Sequence, residues 1–385
     1  MQPVPSRYHA LDSLRASMMF LGIVLHAMVA YAVNSPWLIK PLERTWWFDP
    51  AILFIHAFRM PVFYAVAGFL TALLLERYGW RRAIVNRFWR IAVPFFFGCL
   101  LLVPLMFFLA AYSRVDAQRA GAYIVSGRFL EHAHPIHLWF LEYLLLLYAV
   151  AAVLVVLTSF LPEKLKSAGL ALFRHVVQAV WAPLPMAVLT YIALIQMPWP
   201  GLQDPPGFAP VPNIVFAYAV PFFFGWLLFQ ARDLLDVLSR RAWFYGLLGL
   251  VLGLTYVALL IWAPRTGMTF HLFRAVLAVA MWCLIFGITG LFLRYGSGHS
   301  PLWRYLCDSS YFIYLAHLPV ILALQLLTLH AALSALIVAP LILIATVALL
   351  LPIYAYAVRP TFLGALLNGR RYPRAIWPAT VVAAT

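Results

Sequence analysis

The stretch LDSLRASMMFLGIVLHAMVAY, residues 11–31, decides how the rest of the chain is read. It opens as a soluble helix would and then turns apolar, yet it holds Asp12, Arg15 and His26. On an α-helix Arg15 and His26 are separated by about 20° in azimuth and roughly 16 Å in height. Asp12 falls about 40° to the other side of His26. All three groups therefore share one face, strung from one membrane surface toward the middle. Each ionisable group in a spanning helix costs about 2.5–3.5 kcal/mol, so such groups face the protein interior and mark a pathway or a site.

Composition agrees with a membrane setting. The chain has 385 residues, of which 65% are hydrophobic and 10% charged. A soluble domain carries about 25% charged residues. The net charge of +15 forms no stripe suited to nucleic acid. Instead the basic residues sit in short loops between apolar segments, as cytoplasmic loops do. Cys99, Cys283 and Cys307 are scattered and give neither a disulfide framework nor a paired metal motif. The first segment is read as a retained helix rather than a signal peptide, because its apolar run is long and an acid stands beside an arginine.

Apolar runs broken by Pro, Gly and charge predict an all-α polytopic protein with about ten transmembrane helices. They are placed at 14–33, 51–75, 91–112, 136–160, 178–197, 211–229, 243–262, 272–293, 311–329 and 332–357. Residues 1–357 then form one transmembrane domain and 358–385 a basic tail. Arg77, Arg81, Arg82, Arg87 and Arg90 fall on the same side as Arg370, Arg371 and Arg374. The alternate side carries only Lys40, Arg44, Arg114, Arg119, Arg128 and Arg265. This asymmetry puts both termini in the cytoplasm and the loop PWPGLQDPPGFAP outside. That loop reads as an interface belt or a sugar platform.

Several residues could carry chemistry. His26 titrates near neutrality and can take a proton from a hydroxyl and return it; the plainer alternative is a buried histidine bonded to a carbonyl. In FIHAFRMPVFYAVAGF, His56 and Arg59 share a face, and Arg59 needs a carboxylate, carbonyls or an anionic ligand. Glu142, in HPIHLWFLEYLLLLY, is a natural partner for Arg59. The sequence RRAIVNRFWRIAVPF puts Arg87 and Arg90 on one helical face, where they either enforce topology or bind phosphates. His132, His134 and His137 invite a metal, but no thiol or carboxylate pair completes a set, so no metal is expected. Trp139 is placed at the lipid headgroup level. Ser309 and Ser310 are expected to cap the ninth helix ahead of Tyr311 and His317. No Ser-His-Asp spacing or nucleotide loop occurs.

Arg15 and His26, ten residues between them and opening with LDSLRA, resemble the signature of the acyltransferase 3 family of integral membrane acyltransferases. RFWR, with Arg87 and Arg90, is similar to the family's R-x-x-R at the start of the third helix. FRMPVFYAVAGF resembles its second segment, with Ala67 where many members have serine. YHALDSLRA, FIHAFRMPVFYAVAGF, HLWFL and SSYFIYLAHLP together resemble the glucans biosynthesis protein C branch, in order from residue 8 to about 320.

The resemblance implies a bacterial inner-membrane enzyme that moves an acyl group from a cytoplasmic acyl-coenzyme A to hydroxyls of a periplasmic glucan. It implies succinyl-coenzyme A as donor substrate, with no bound cofactor. His26 becomes the catalytic residue, and Arg15, Arg87 and Arg90 bind the donor, with Asp12 beside Arg15. His26 acts as a base or forms a transient acyl-histidine. Arg59 becomes the candidate for the succinyl carboxylate, while His56, Glu142 and Trp139 are candidates for the acceptor side. Acetylation of another cell-envelope glycan is the alternative within the family. A proton-coupled or anion transporter is the alternative outside it, although no inverted repeat is visible.

Overall fold

In the computed structural model, residues 8–264, 266–298 and 300–374 are described. Arg7, Arg265 and residues 375–385 of the expected tail lie outside them. The described residues are helical throughout, apart from loops and one isolated bridge between Ala32 and Thr45. The helices are α1 (His9–Val29), α2 (Phe48–Arg87), α3 (Val93–Tyr112), α4 (Ala117–Val125), α5 (Trp139–Ser159), α6 (Glu163–Gln178) and α7 (Pro183–Leu194). They continue as α8 (Pro212–Gln230), α9 (Leu235–Arg240), α10 (Ala242–Trp262), α11 (Gly267–Tyr295), α12 (Pro301–Leu327), α13 (Ala335–Ile353) and α14 (Phe362–Asn368).

Among the described residues, eight helical segments are long and apolar enough to cross a membrane, or up to nine if a bent pair counts as one. One of the eight, Phe48–Tyr112, is 65 residues long. At 1.5 Å per residue that is about 98 Å of helix, roughly three bilayer cores. It is interrupted at Gly79, whose φ of 70° and ψ of 172° only glycine adopts easily. A count of apolar runs therefore exceeds a count of helical segments.

The segment expected to cross at 178–197 is not one straight helix. Residues 163–194 form α6 and α7, bent by 105° across a short break before Pro183. With 12 residues, α7 spans only about 18 Å, short of a bilayer core.

Two compact units emerge, each assembled from three chain segments. The first comprises Met1–Met18, Leu53–Ile84 and Glu142–Gly298. Within it α11 packs on α10, α7 and α9. The contact of α2 with α8 is made backbone to backbone. A Cβ on Gly68 would collide with the Phe222 carbonyl oxygen, and one on Gly225 with that of Ala65. Such small-residue contacts let helices approach closely where lipid offers no hydrophobic drive.

The second unit comprises Met19–Ile52, Val85–Leu141 and His299–Thr385. Here α12 packs on α13 and α3. A π-helical turn, Phe88–Ala92, joins α2 to α3, and a second, Tyr354–Val358, follows α13. The segment after it does not trail away. Leu367 of α14 is 1% exposed, buried against Tyr305, Tyr354 and Val358. Gly369 at φ 79° ends that helix, its N–H bonding back to Ala365 O at 2.7 Å. The cap expected at Ser309 and Ser310 is corrected too. The helix begins ten residues earlier, capped by Ser300, whose hydroxyl accepts from Trp303 N. Ser309 and Ser310 lie inside it and donate to Leu306 O and Cys307 O.

Candidate active site

His26, in the last turn of α1, belongs to the second unit. Its Nδ1 lies 2.8 Å from Nε2 of His317, 291 residues away on α12. The two rings are within 14° of parallel. His317 is 1% exposed, and its own Nδ1 sits 2.7 Å from Tyr314 O and 3.0 Å from Ile313 O.

These contacts fix the protons. A carbonyl only accepts, so His317 carries its proton on Nδ1 and, as a neutral ring, presents a lone pair at Nε2. His26 then donates from Nδ1 to that lone pair, and its own lone pair is on Nε2. A neutral imidazole held in this tautomer has its acceptor nitrogen at Nε2. His26 is half-buried, whereas its orienting partner is enclosed.

Further groups hold the pair in place. The indole of Trp37 lies 5.6 Å from the His26 ring at 21° between planes. Its Nε1 donates to Gln325 Oε1 at 2.9 Å, and Gln325 Nε2 donates to His26 O at 3.2 Å. The loop that carries Trp37 is pinned at its base. Asp49 accepts from Val33 N at 3.1 Å and Asn34 N at 2.9 Å, and Thr45 N donates to Tyr31 O at 2.8 Å.

On the other side of His317 stands His137, 5.2 Å away between centroids. Tyr314 Oη donates to its carbonyl at 2.7 Å, and its Nε2 faces Leu315 O at 3.3 Å. Ile136 just before it has φ 51°, a strained value for a β-branched residue. Trp139, the first residue of α5, is 4% exposed. It is packed by protein because the helix that begins there is enclosed from its first turn.

Arg87 closes α2, and Arg90 lies in the π-helical turn that follows. Turns of this kind recur at functional sites. Arg90 grips Leu367 O with Nε at 3.1 Å and Nη2 at 2.8 Å, satisfying a carbonyl near the end of α14. Tyr311 Oη donates to Arg90 O at 2.7 Å.

The remaining expected residues belong to the first unit. Arg15 Nη2 lies 3.7 Å from Asp12 Oδ1, one turn away. His56 Nε2 lies 3.5 Å from Asp204 Oδ1, which comes from the loop read as a belt or sugar platform. Arg59 and Asp204 are both within electrostatic range of the buried Tyr218 hydroxyl. Glu142 is in the first turn of α5, its Oε2 buried without a hydrogen-bond partner among the described residues. Among the described residues no group of three or more His, Cys, Asp or Glu could hold a metal ion.

Sequence reasoning missed His317, Trp37, Gln325 and Asp204 as parts of these arrangements. His317 was visible in SSYFIYLAHLP, but nothing local to that motif points to His26.

The family model for the acyltransferase domain, acyltransferase 3, matches residues 8–355, nearly the whole chain. The chain belongs to that family. Among similar curated proteins is the glucans biosynthesis protein C of Salmonella paratyphi B (strain ATCC BAA-1250 / SPB7). This acyltransferase family member is 32% identical to it over 151 residues, 39% of each chain. The same protein from Salmonella heidelberg (strain SL476) and from Salmonella agona (strain SL483) matches to the same extent. The match thus spans well under half the length of these relatives. No solved structure matches the chain.

Proposed function

We propose that this protein is a multi-pass O-acyltransferase of the bacterial inner membrane, moving a succinyl group from cytoplasmic succinyl-coenzyme A to hydroxyls of a periplasmic glucan. The observation that carries the reading is the 2.8 Å contact between His26 Nδ1 and His317 Nε2. It supports a base whose lone pair is held on Nε2. His26 takes the proton of a glucan hydroxyl as that oxygen attacks the thioester carbonyl. The C–S bond then breaks, the new ester remains on the glucan, and the thiolate takes the proton back from His26. His317 acts as a positioning residue. It orients the ring and stabilises the imidazolium that forms, as the third member of a catalytic triad does.

The resemblance gives Arg15, Arg87 and Arg90 the donor, and the free succinyl carboxylate needs a cation, for which Arg59 is the candidate. Asp12 orients Arg15, consistent with the contact between them. Both termini are cytoplasmic in this reading, on the strength of the basic loops.

The test expresses wild type and His26→Ala at equal membrane levels in a host without its own glucan acyltransferase, then weighs the periplasmic glucans by mass spectrometry. Succinyl-sized additions in the wild type and none in the variant are expected. Modification that persists in the variant would sink the role of His26. Unmodified wild-type glucan, with thiol still released from an acyl-coenzyme A when another glycan is supplied, would replace the acceptor. No thiol release at all would favour a transporter.

A further inference from the structure

The second unit gathers cations where neither motif lies. Segment 300–374 contains a single carboxylate, Asp308, against Arg304, Arg359, Arg370, Arg371 and Arg374. Three of those arginines converge on one side chain, Tyr372. The guanidinium carbons of Arg370, Arg359 and Arg304 lie 4.5, 4.8 and 6.0 Å from its ring centroid. Its hydroxyl oxygen accepts from Arg370 Nε at 2.6 Å and from Arg304 Nη2 at 2.6 Å. Arg304 also bonds Asp308 Oδ2 at 2.9 Å.

Orientation in the membrane alone does not call for this arrangement. Topology needs positive charge near the surface, where water screens it. Here Arg359 is 3% exposed, its guanidinium set over the faces of Tyr305 and Tyr372. Three like charges are held about one neutral ring, with one carboxylate between them. The cluster grades from exposed Arg370, through half-buried Tyr372, to buried Arg359. It is therefore open at one end. A single oxygen that collects two charge-assisted hydrogen bonds from arginines does what a phosphate oxygen does. The two π-helical turns prepare the place. The one at Tyr354–Val358 delivers Arg359, and the one at Phe88–Ala92 carries Arg90, which clamps the end of α14 just before Arg370.

We propose that Arg304, Arg359 and Arg370 form a phosphoryl-binding site in which the Tyr372 hydroxyl holds the anion's place until a phosphorylated ligand displaces it. On the function proposed above, that ligand is the nucleotide end of the thioester donor. An anionic lipid headgroup offers the same chemistry and is separated by experiment.

The test uses the full chain in phosphatidylcholine nanodiscs, titrated calorimetrically with adenosine 3′,5′-bisphosphate and, as an uncharged control, adenosine. The wild type binds the bisphosphate and not adenosine. Arg370→Gln, an exposed position that leaves folding intact, weakens binding about tenfold. Tyr372→Phe, which keeps the ring and removes the competing oxygen, binds at least as tightly as wild type. A wild type that ignores the bisphosphate, an Arg370→Gln variant that binds it unchanged, or a Tyr372→Phe variant that loses it would each overturn the site. In nanodiscs containing phosphatidylglycerol, retained binding supports the donor. Binding abolished there but present in phosphatidylcholine overturns the donor assignment in favour of a lipid headgroup. Because binding is read without turnover, the two proposals fail separately. Glucan modification without bisphosphate binding defeats this one alone, and bisphosphate binding without acyl transfer defeats only the other.

Discussion

The two units solve the same problem, holding helices together in lipid, with a different emphasis. The first brings backbones into contact, with Gly68 and Gly225 each leaving no room for a Cβ against the facing carbonyl. The second ties its segments with side-chain hydrogen bonds, His26 to His317, Trp37 to Gln325, Tyr31 to Thr328, and Tyr314 to the carbonyl of His137. Glycine contacts give close packing and place no reactive side chain. Hydrogen-bonded side chains fix protons and ring orientations. The difference teaches that a polar contact between helices becomes a candidate for chemistry where its partners can titrate, as His26 and His317 can. It serves cohesion alone where they cannot, as between Trp282 Nε1 and Thr190 Oγ1 in the first unit.

Breaking each mode separately sharpens that contrast. His26→Ala should lower the transfer rate about 10³-fold while leaving the melting transition of the purified protein nearly in place. A matching loss of stability would mean that the histidine is structural. Gly225→Val should do the reverse. It drives a side chain into the Ala65 carbonyl and should cost about 3 kcal/mol or more of stability, read as reduced membrane yield and a lowered melting temperature. If that variant keeps wild-type stability, the backbone contact is not what holds the first unit.

His317→Phe keeps the volume and removes the acceptor that fixes His26. A fall in kcat of about 10²-fold with KM unchanged is expected, and His317→Gln, which returns an acceptor, should recover part of it. An equal effect in both variants would make His317 a packing residue. The smallest effect is assigned to the loop. Asp49→Ala leaves Val33 N and Asn34 N without their acceptor and should cost about 1–2 kcal/mol. Hydrogen exchange at residues 33–47 should rise with it, and unchanged exchange there would show that the loop is held by other means.

Much of the helical architecture was legible because helix periodicity and apolar length act locally. Its failures are local as well. The start of α12 was placed too late because Arg304, Asp308, Ser309 and Ser310 interrupt the apolar run. Within the helix Arg304 and Asp308 neutralise each other across one turn, and the serines donate back to it. Such polar residues no longer oppose a spanning helix. The fifth crossing was read through Pro183 because composition alone does not register a 105° bend.

The sequence by itself determined the membrane class, the run of helices, the placing of Asp12, Arg15 and His26 on one helix, and the paired arginines Arg87 and Arg90. Each follows from residue type and spacing along a single helix or turn. Only the tertiary structure decided that His317 sets the tautomer of His26, that Asp204 meets His56, and that Arg304 reaches the Tyr372 hydroxyl. Those contacts join residues from tens to nearly 300 positions apart. The physical reason is that a hydrogen bond depends on where two side chains end up, and no local pattern carries the partner's address.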